Sequence, residues 1–320
     1  VTAPTIPDDQ LYEDQQRVVR DAVDTVQDAW QRLRPDDLIG SWETDVRPRA
    51  VIAIEEAQVQ TAAPAAAYVA AALLAANAVS APVGKLVAGA FAGCAANGLT
   101  LTRLLDHVIG YLRRALGMGM APSHVREISL QRLLTYTATE ITDTSRVAVH
   151  TAMLTEPAVA GYERVVRLPA CGRCLILAGR LYPLSDGFAR HPRCDCQMRP
   201  VTRDQWQTND PGNTPTALFA AMTRAEQDKA FGVKDAEAIR AGADIAGVVN
   251  ARRAGAVYVA GHRKYSTTRG AADGLGNTSG SGGQYRRRDI ARPTAAQIFA
   301  DGGDREHLLI RLRRYGYITS

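Results

Sequence analysis

Four of the chain's five cysteines and one of its six histidines fall within residues 171–196, CGRCLILAGRLYPLSDGFARHPRCDC. No other feature restricts the fold as strongly, because donors spaced this way ask the chain to turn and return to one point. The spacing is Cys171-x2-Cys174, sixteen residues, then His191-x2-Cys194-x-Cys196. A C-x2-C turn lets two thiolates reach one ion, and the second cluster offers three donors to complete a tetrahedron. Zinc suits such a set, since thiolate and imidazole are its ligands and no redox change is needed. Cys171 and Cys174 are the firmest pair. His191, Cys194 and Cys196 then supply two ligands between them, and spacing does not choose which two.

Other chemistry is open to the same residues. A C-x2-C pair serves as a redox dithiol where it opens a helix after a strand in a thioredoxin-like unit, a context this sequence does not show. The four cysteines could form two disulfides in an extracellular particle, and a cysteine beside a histidine can be a nucleophile. A module this small buries too little surface to hold itself together, so one closed metal site would be a structural cross-link. Cys94, alone among small apolar residues in FAGCAANG, is expected as a packed core cysteine.

Around this stretch the chain reads as mainly helical. It has 46% hydrophobic but only 6% aromatic residues, and its abundant alanine favours helices over sheets. Residues 11–34 carry Leu11, Val18, Val19, Ala22, Val26 and Trp30 near helical spacing, with Pro35 as the stop. Asp36 or Asp37 is placed to cap a short helix after it. Residues 57–84 contain no charge, yet Gln58, Gln60, Pro64, Asn77 and Pro82 interrupt them. A bilayer crossing needs ~20 strongly apolar residues, so a buried or partner-facing helix is expected here. Helices over 100–116 and 126–155 follow. The opening VTAPTIPDDQ is polar and acidic, so no signal peptide is expected.

The pattern shifts at 161–168, GYERVVRL, which reads as a strand, and QMRPVT after the cysteines reads as another extended run. The fold class is therefore α+β, mainly α. A helical region over 1–155 leads to a Cys/His module at 156–205 with two to four strands. A linker-rich basic tail over 206–320 carries short helices. In that tail Thr223 and Glu226 have capping-box spacing, Gly242 ends one helix, and Asp244 caps the next. Residues 270–283 are linker by composition, and a helical hairpin is expected at the end. From Ala251 onward 13 basic residues face 5 acidic ones, leaving residues 1–250 at a net charge of −3. A basic tail on such a body is either a solvated segment or a contact for an acidic partner such as nucleic acid.

The run GYERVVRLPACGRCLILAGRLYPL, followed by RHPRCDCQMRPV, resembles the signature of Mu F-like phage head morphogenesis proteins, the minor capsid proteins of tailed phages. That pattern joins a C-x2-C, an apolar helix, an aromatic beside a proline (Tyr182, Pro183) and a closing H-P-x-C-x-C (His191, Pro192, Cys194, Cys196). The likeness is specific over 160–200 and loose over 10–320. It implies a virion protein inside the capsid at the portal vertex, partnered by the portal and the major capsid or scaffold protein. Packaged DNA could meet the basic tail, and no membrane is implied. Some relatives of this kind are capsid maturation proteases, which is the alternative function. No G-x-S-x-G elbow is present, and His107, His150, Ser145 and Ser266 form no catalytic arrangement in sequence, so a structural protein is expected rather than an enzyme.

Overall fold

The computed structural model describes residues 7–208 apart from Gly187 and Ala189, then residues 213–251, 257–260, 263–266, 292–293 and single positions between 301 and 314. Its contacts divide the chain into two compact units. One is Val1–Val165 with Leu181–Asp210, the other Val166–Arg180 with Pro211–Ser320. This division is drawn differently from the consecutive segments 1–155, 156–205 and 206–320, because the Cys-x2-Cys turn packs with residues that come later in the chain.

The first unit is built on amphipathic helices. In α1 (Pro7–Trp30), Ala22, Val26, Ala29 and Trp30 recur three or four residues apart and are all buried. The helix stops before Pro35 is reached. Arg126 donates instead to the carbonyls of Trp30 (3.4 Å) and Leu33 (3.0 Å), taking up acceptors that a helix end leaves unpaired. Asp37 then caps α2 (Leu38–Ser41), its Oδ1 accepting from the Gly40 N–H at 2.9 Å. A π-turn at Trp42–Val46 leads into α3 (Arg47–Ala62), and Pro64 separates that helix from α4 (Ala65–Ala75). The stretch Leu38–Ala75 is long and apolar enough to pass as a membrane span by length and composition. Here Ile54, Ala57, Ala62, Ala65, Val69 and Leu73 lie buried in the unit's own core. Trp30 and Trp42 meet edge to face at 6.5 Å, and Asp106 accepts from both the Trp42 indole (2.9 Å) and Arg47 (3.0 Å). Helix α5 (Leu101–Gly117) adds Leu104, Leu105, Val108, Ile109 and Leu112 to that core. The long α6 (Pro122–Thr155) runs along the unit.

Three antiparallel strands follow in the order β2-β1-β3: β1 (Val159–Val165) is central, flanked by β2 (Leu181–Pro183) and β3 (Gln197–Thr202). Tyr162 pairs with Tyr182 on one side and Pro200 on the other, and Arg164 faces Met198. Gly161 is required in this register. A Cβ there would lie 2.5 Å from the Tyr182 carbonyl and 2.3 Å from the Trp206 ring of α8 (Arg203–Thr208). A second core, with Tyr68, Val69, Leu73, Val149, Met153, Tyr162 and Met198, joins sheet to helices. Asp8 ties the start of α1 to β3 by accepting from the Tyr68 hydroxyl (2.7 Å) and from Arg199 Nε (2.6 Å).

In the second unit, the apolar helix that the resemblance implied is α7, a single turn, Gly172–Leu175. It is followed after the intervening strands by α9 (Pro215–Ala221), α10 (Arg224–Phe231), α11 (Val233–Arg240) and α12 (Ile245–Asn250). These helices share one core of Leu175, Ile176, Phe219, Phe231, Ile239 and Val248, so residues 213–251 are packed rather than strung on linkers. The expected end signals all operate. Thr223 and Glu226 form the full capping box, Gly242 takes φ +98° after α11, and Asp244 caps α12. Strands β4 (Val257–Ala260), β5 (Arg263–Ser266) and β6 (Arg292–Pro293) form a second antiparallel sheet that composition did not reveal. The linker 270–283 and most of the closing helical hairpin lie outside the described residues.

Candidate metal centre

The loop between β2 and β3 carries His191, Cys194 and Cys196, and each residue of 193–196 is held in place by unit-one helices. Arg193 has positive φ (59°). Its backbone N–H donates to Thr139 Oγ1 (3.2 Å) and its guanidinium to Thr135 Oγ1 (3.1 Å) and Gln131 Oε1 (3.4 Å), all on α6. Asp195 accepts from the Tyr12 hydroxyl of α1 at 2.9 Å. Arg146, from the middle of α6 and only 5% exposed, donates through Nε to the Cys196 carbonyl (2.8 Å) and through Nη2 to the Cys194 carbonyl. Its third nitrogen pairs with Asp143 one turn earlier, and Asp143 also takes Arg190.

Burial sets the electrostatics here. Desolvation raises the Asp143 carboxyl above its usual range, against the pull of Arg146 and Arg190. Burial likewise lowers the Arg146 guanidinium, with Asp143 opposing. A neutral residue could not replace either member alone cheaply, because its removal leaves the other charge buried with less compensation. From β1, Arg164 (2% exposed) points Nη2 at Cys194 Sγ, 3.6 Å away. Its guanidinium lies over the Phe188 ring at 4.3 Å, and that of Arg146 at 5.2 Å.

The Cys-x2-Cys pair has a different local cause. Cys171 is the extended residue before α7, and its carbonyl accepts the Cys174 and Leu175 N–H groups at 3.0 Å. That turn sets the two side chains three residues apart on one helical start. Cys174, Cys194 and Cys196 are buried, whereas Cys171 and Cys94 are exposed.

Cys171 and Cys174 share one turn of the second unit, and His191, Cys194 and Cys196 share one loop of the first. Such a cysteine/histidine set could hold a metal ion, and its donor chemistry, soft thiolates with one imidazole, fits zinc or a similar ion rather than calcium or magnesium. His191 Nδ1 lies 2.8 Å from the Pro192 carbonyl. A proton on Nδ1 satisfies that carbonyl and leaves the Nε2 lone pair for a ligand.

One expectation changes here, and one feature was not foreseen. Cys94 is not a core cysteine: it is exposed, on an isolated bridge with Thr100, and its small neighbours leave a surface cavity of about 290 Å³ lined in part by Phe91, Cys94, Asp143 and Val147. Small apolar neighbours in sequence signalled packing, but here they line an open hollow. The arginines are the unforeseen feature. Arg146 and Asp143 look in sequence like an ordinary i,i+3 surface pair. Their one signal is the run of Thr, Ser, Ala and Val around them, too short in side chain to keep an arginine in solvent on a buried helix.

The family described as VG15 protein matches residues 7–225, well over half of the chain and inclusive of every predicted donor. No curated protein and no solved structure matches the chain. The chain belongs to the VG15 protein family, a family of viral gene proteins, which points to a phage protein.

Proposed function

We propose that this protein is a minor capsid protein of a tailed bacteriophage, acting as a structural component in head assembly and DNA packaging, with a zinc ion at the cysteine/histidine centre. The observation that carries this reading is that the viral family match spans the H-P-x-C-x-C loop together with the helices that hold it. The elaborate fixing of 193–196 serves a structural ion well, since preset ligands bind metal without first being ordered. Four of the five donors, Cys171, Cys174, His191, Cys194 and Cys196, would ligate zinc and stabilise the fold around it. The role is scaffolding rather than catalysis. The portal protein and the major capsid or scaffold protein are the partners, the capsid interior at the portal vertex is the place, and packaged DNA is the partner of the net-basic sequence after Ala251.

Purified virions test this. Mass spectrometry of intact particles should find the chain in few copies, and cryo-electron microscopy should trace it at the head vertex. Finding it only free in infected-cell lysate would overturn the assignment. Deleting the gene should give defective heads. If heads assemble normally and only cleavage of capsid or scaffold protein is lost, the protease reading replaces this one. Elemental analysis of the chain purified under reducing conditions should give one zinc per molecule.

A further inference from the structure

Resting on the zinc reading above, we propose that Arg164 is a positioning residue of the metal centre: its guanidinium holds Cys194 Sγ and offsets the negative charge of a thiolate-rich donor set, which makes Cys194 one of the four ligands. Arg164 sits on the central strand β1, opposite Met198 of β3, so the sheet fixes its Cα. The side chain is almost fully buried, and its Nη2 lies at N–H···S distance from the sulfur, 3.6 Å. The Phe188 ring beneath fixes the plane of the guanidinium.

The charge count gives the physical reason. Zinc with three thiolates and one imidazole carries one net negative charge, and with four thiolates it carries two. Burying that charge beside Cys194 and Cys196, which are themselves buried, costs several kcal/mol unless a cation stands beside it. An arginine is the residue for this task, because it stays protonated and its fixed fork donates in a set direction. Arg146 addresses the cysteine backbone carbonyls and Asp143. Arg164 addresses a sulfur. Outer residues of this kind tune the metal through the ligand they orient.

The test uses the full chain, stripped of metal under reducing conditions and titrated with cobalt(II) alone. The wild-type protein should develop thiolate-to-cobalt charge-transfer absorption; if it does not, the metal reading itself fails. Given wild-type binding, Cys194→Ser should lose intensity in that band, and Arg164→Lys should bind cobalt about 10–100-fold more weakly. The lysine variant should keep the wild-type far-ultraviolet circular dichroism and metal-free urea midpoint, which a merely structural arginine would not allow. In the Cys194→Ser background, Arg164→Lys should add nothing further. Cys194→Ser retains the guanidinium, so it is read even where the arginine variant does not fold. An unchanged cobalt spectrum in Cys194→Ser, unchanged affinity in Arg164→Lys, or fully additive effects would each overturn the proposal.

Discussion

The helical bundle and the 191–196 loop are parts of the same unit, yet they are held by opposite means. The bundle relies on apolar area. Trp30, Trp42, Leu105 and Val108 are all at most 1% exposed, and they come from helices far apart in sequence. The loop has little apolar area of its own. Arg146, Thr135, Thr139 and Tyr12 hold it by hydrogen bonds to its backbone and to the Arg193 and Asp195 side chains. Apolar packing tolerates small shifts because it has no direction, whereas hydrogen bonds fix direction as well as distance. A set of metal donors needs the second kind of support.

The largest effect should come from the apolar side. Trp42→Ala removes the edge-to-face partner of Trp30 and orphans part of Asp106's hydrogen bonding. A loss of about 3–5 kcal/mol is expected in urea unfolding. A loss under 1 kcal/mol would mean that the two tryptophans do not carry the bundle.

Arg146→Met should cost about 3 kcal/mol, because it leaves Asp143 buried with one fewer cation and frees the Cys194 and Cys196 carbonyls. The comparison predicts more than a stability change. Buried Cys194 and Cys196 should become open to alkylation in the metal-free variant, while the bundle keeps its helical circular dichroism. Equal protection of both thiols in variant and wild type would show that the loop is held by something else.

Tyr162 links the two kinds of support. It is fully buried, stacks on Tyr182 at 5.2 Å, and its hydroxyl donates to the Asp186 carbonyl at 3.2 Å. Burial, and next the neighbouring Tyr182 phenol, push its pKa from 10 up to about 12. The folded state therefore holds this proton more tightly than the unfolded chain does. The resulting stability is complete below pH 10 and is lost as pH rises toward 12, by about 2–3 kcal/mol. Phenolate absorbance should show one late-titrating tyrosine that disappears in Tyr162→Phe. A titration identical in the two proteins would refute this. The smallest effect belongs to the second unit: Thr223→Ala deletes the capping box of α10 and should cost about 1 kcal/mol. A change below 0.3 kcal/mol would indicate that α10 is held by Phe231 packing alone.

Much of this protein is determined locally and could be read along the chain. The 3–4 residue spacing of Ala22, Val26 and Trp30, the caps at Asp37, Thr223 and Asp244, and the glycine at 242 each act within one or two turns. The cysteine/histidine spacing likewise announces a donor set, because its chemistry belongs to the residue types themselves. What tertiary structure alone decided was which polar groups are removed from water. Arg146 reaches carbonyls 48 and 50 residues later, Arg164 reaches a sulfur 30 residues later, and Tyr12 reaches Asp195 across 183 residues. An arginine reads the same in sequence whether solvated or buried. Its role appears only when distant segments exclude water around it and leave one acceptor within reach, as Cys94 shows in reverse, where apolar neighbours in sequence do not close over the thiol in space.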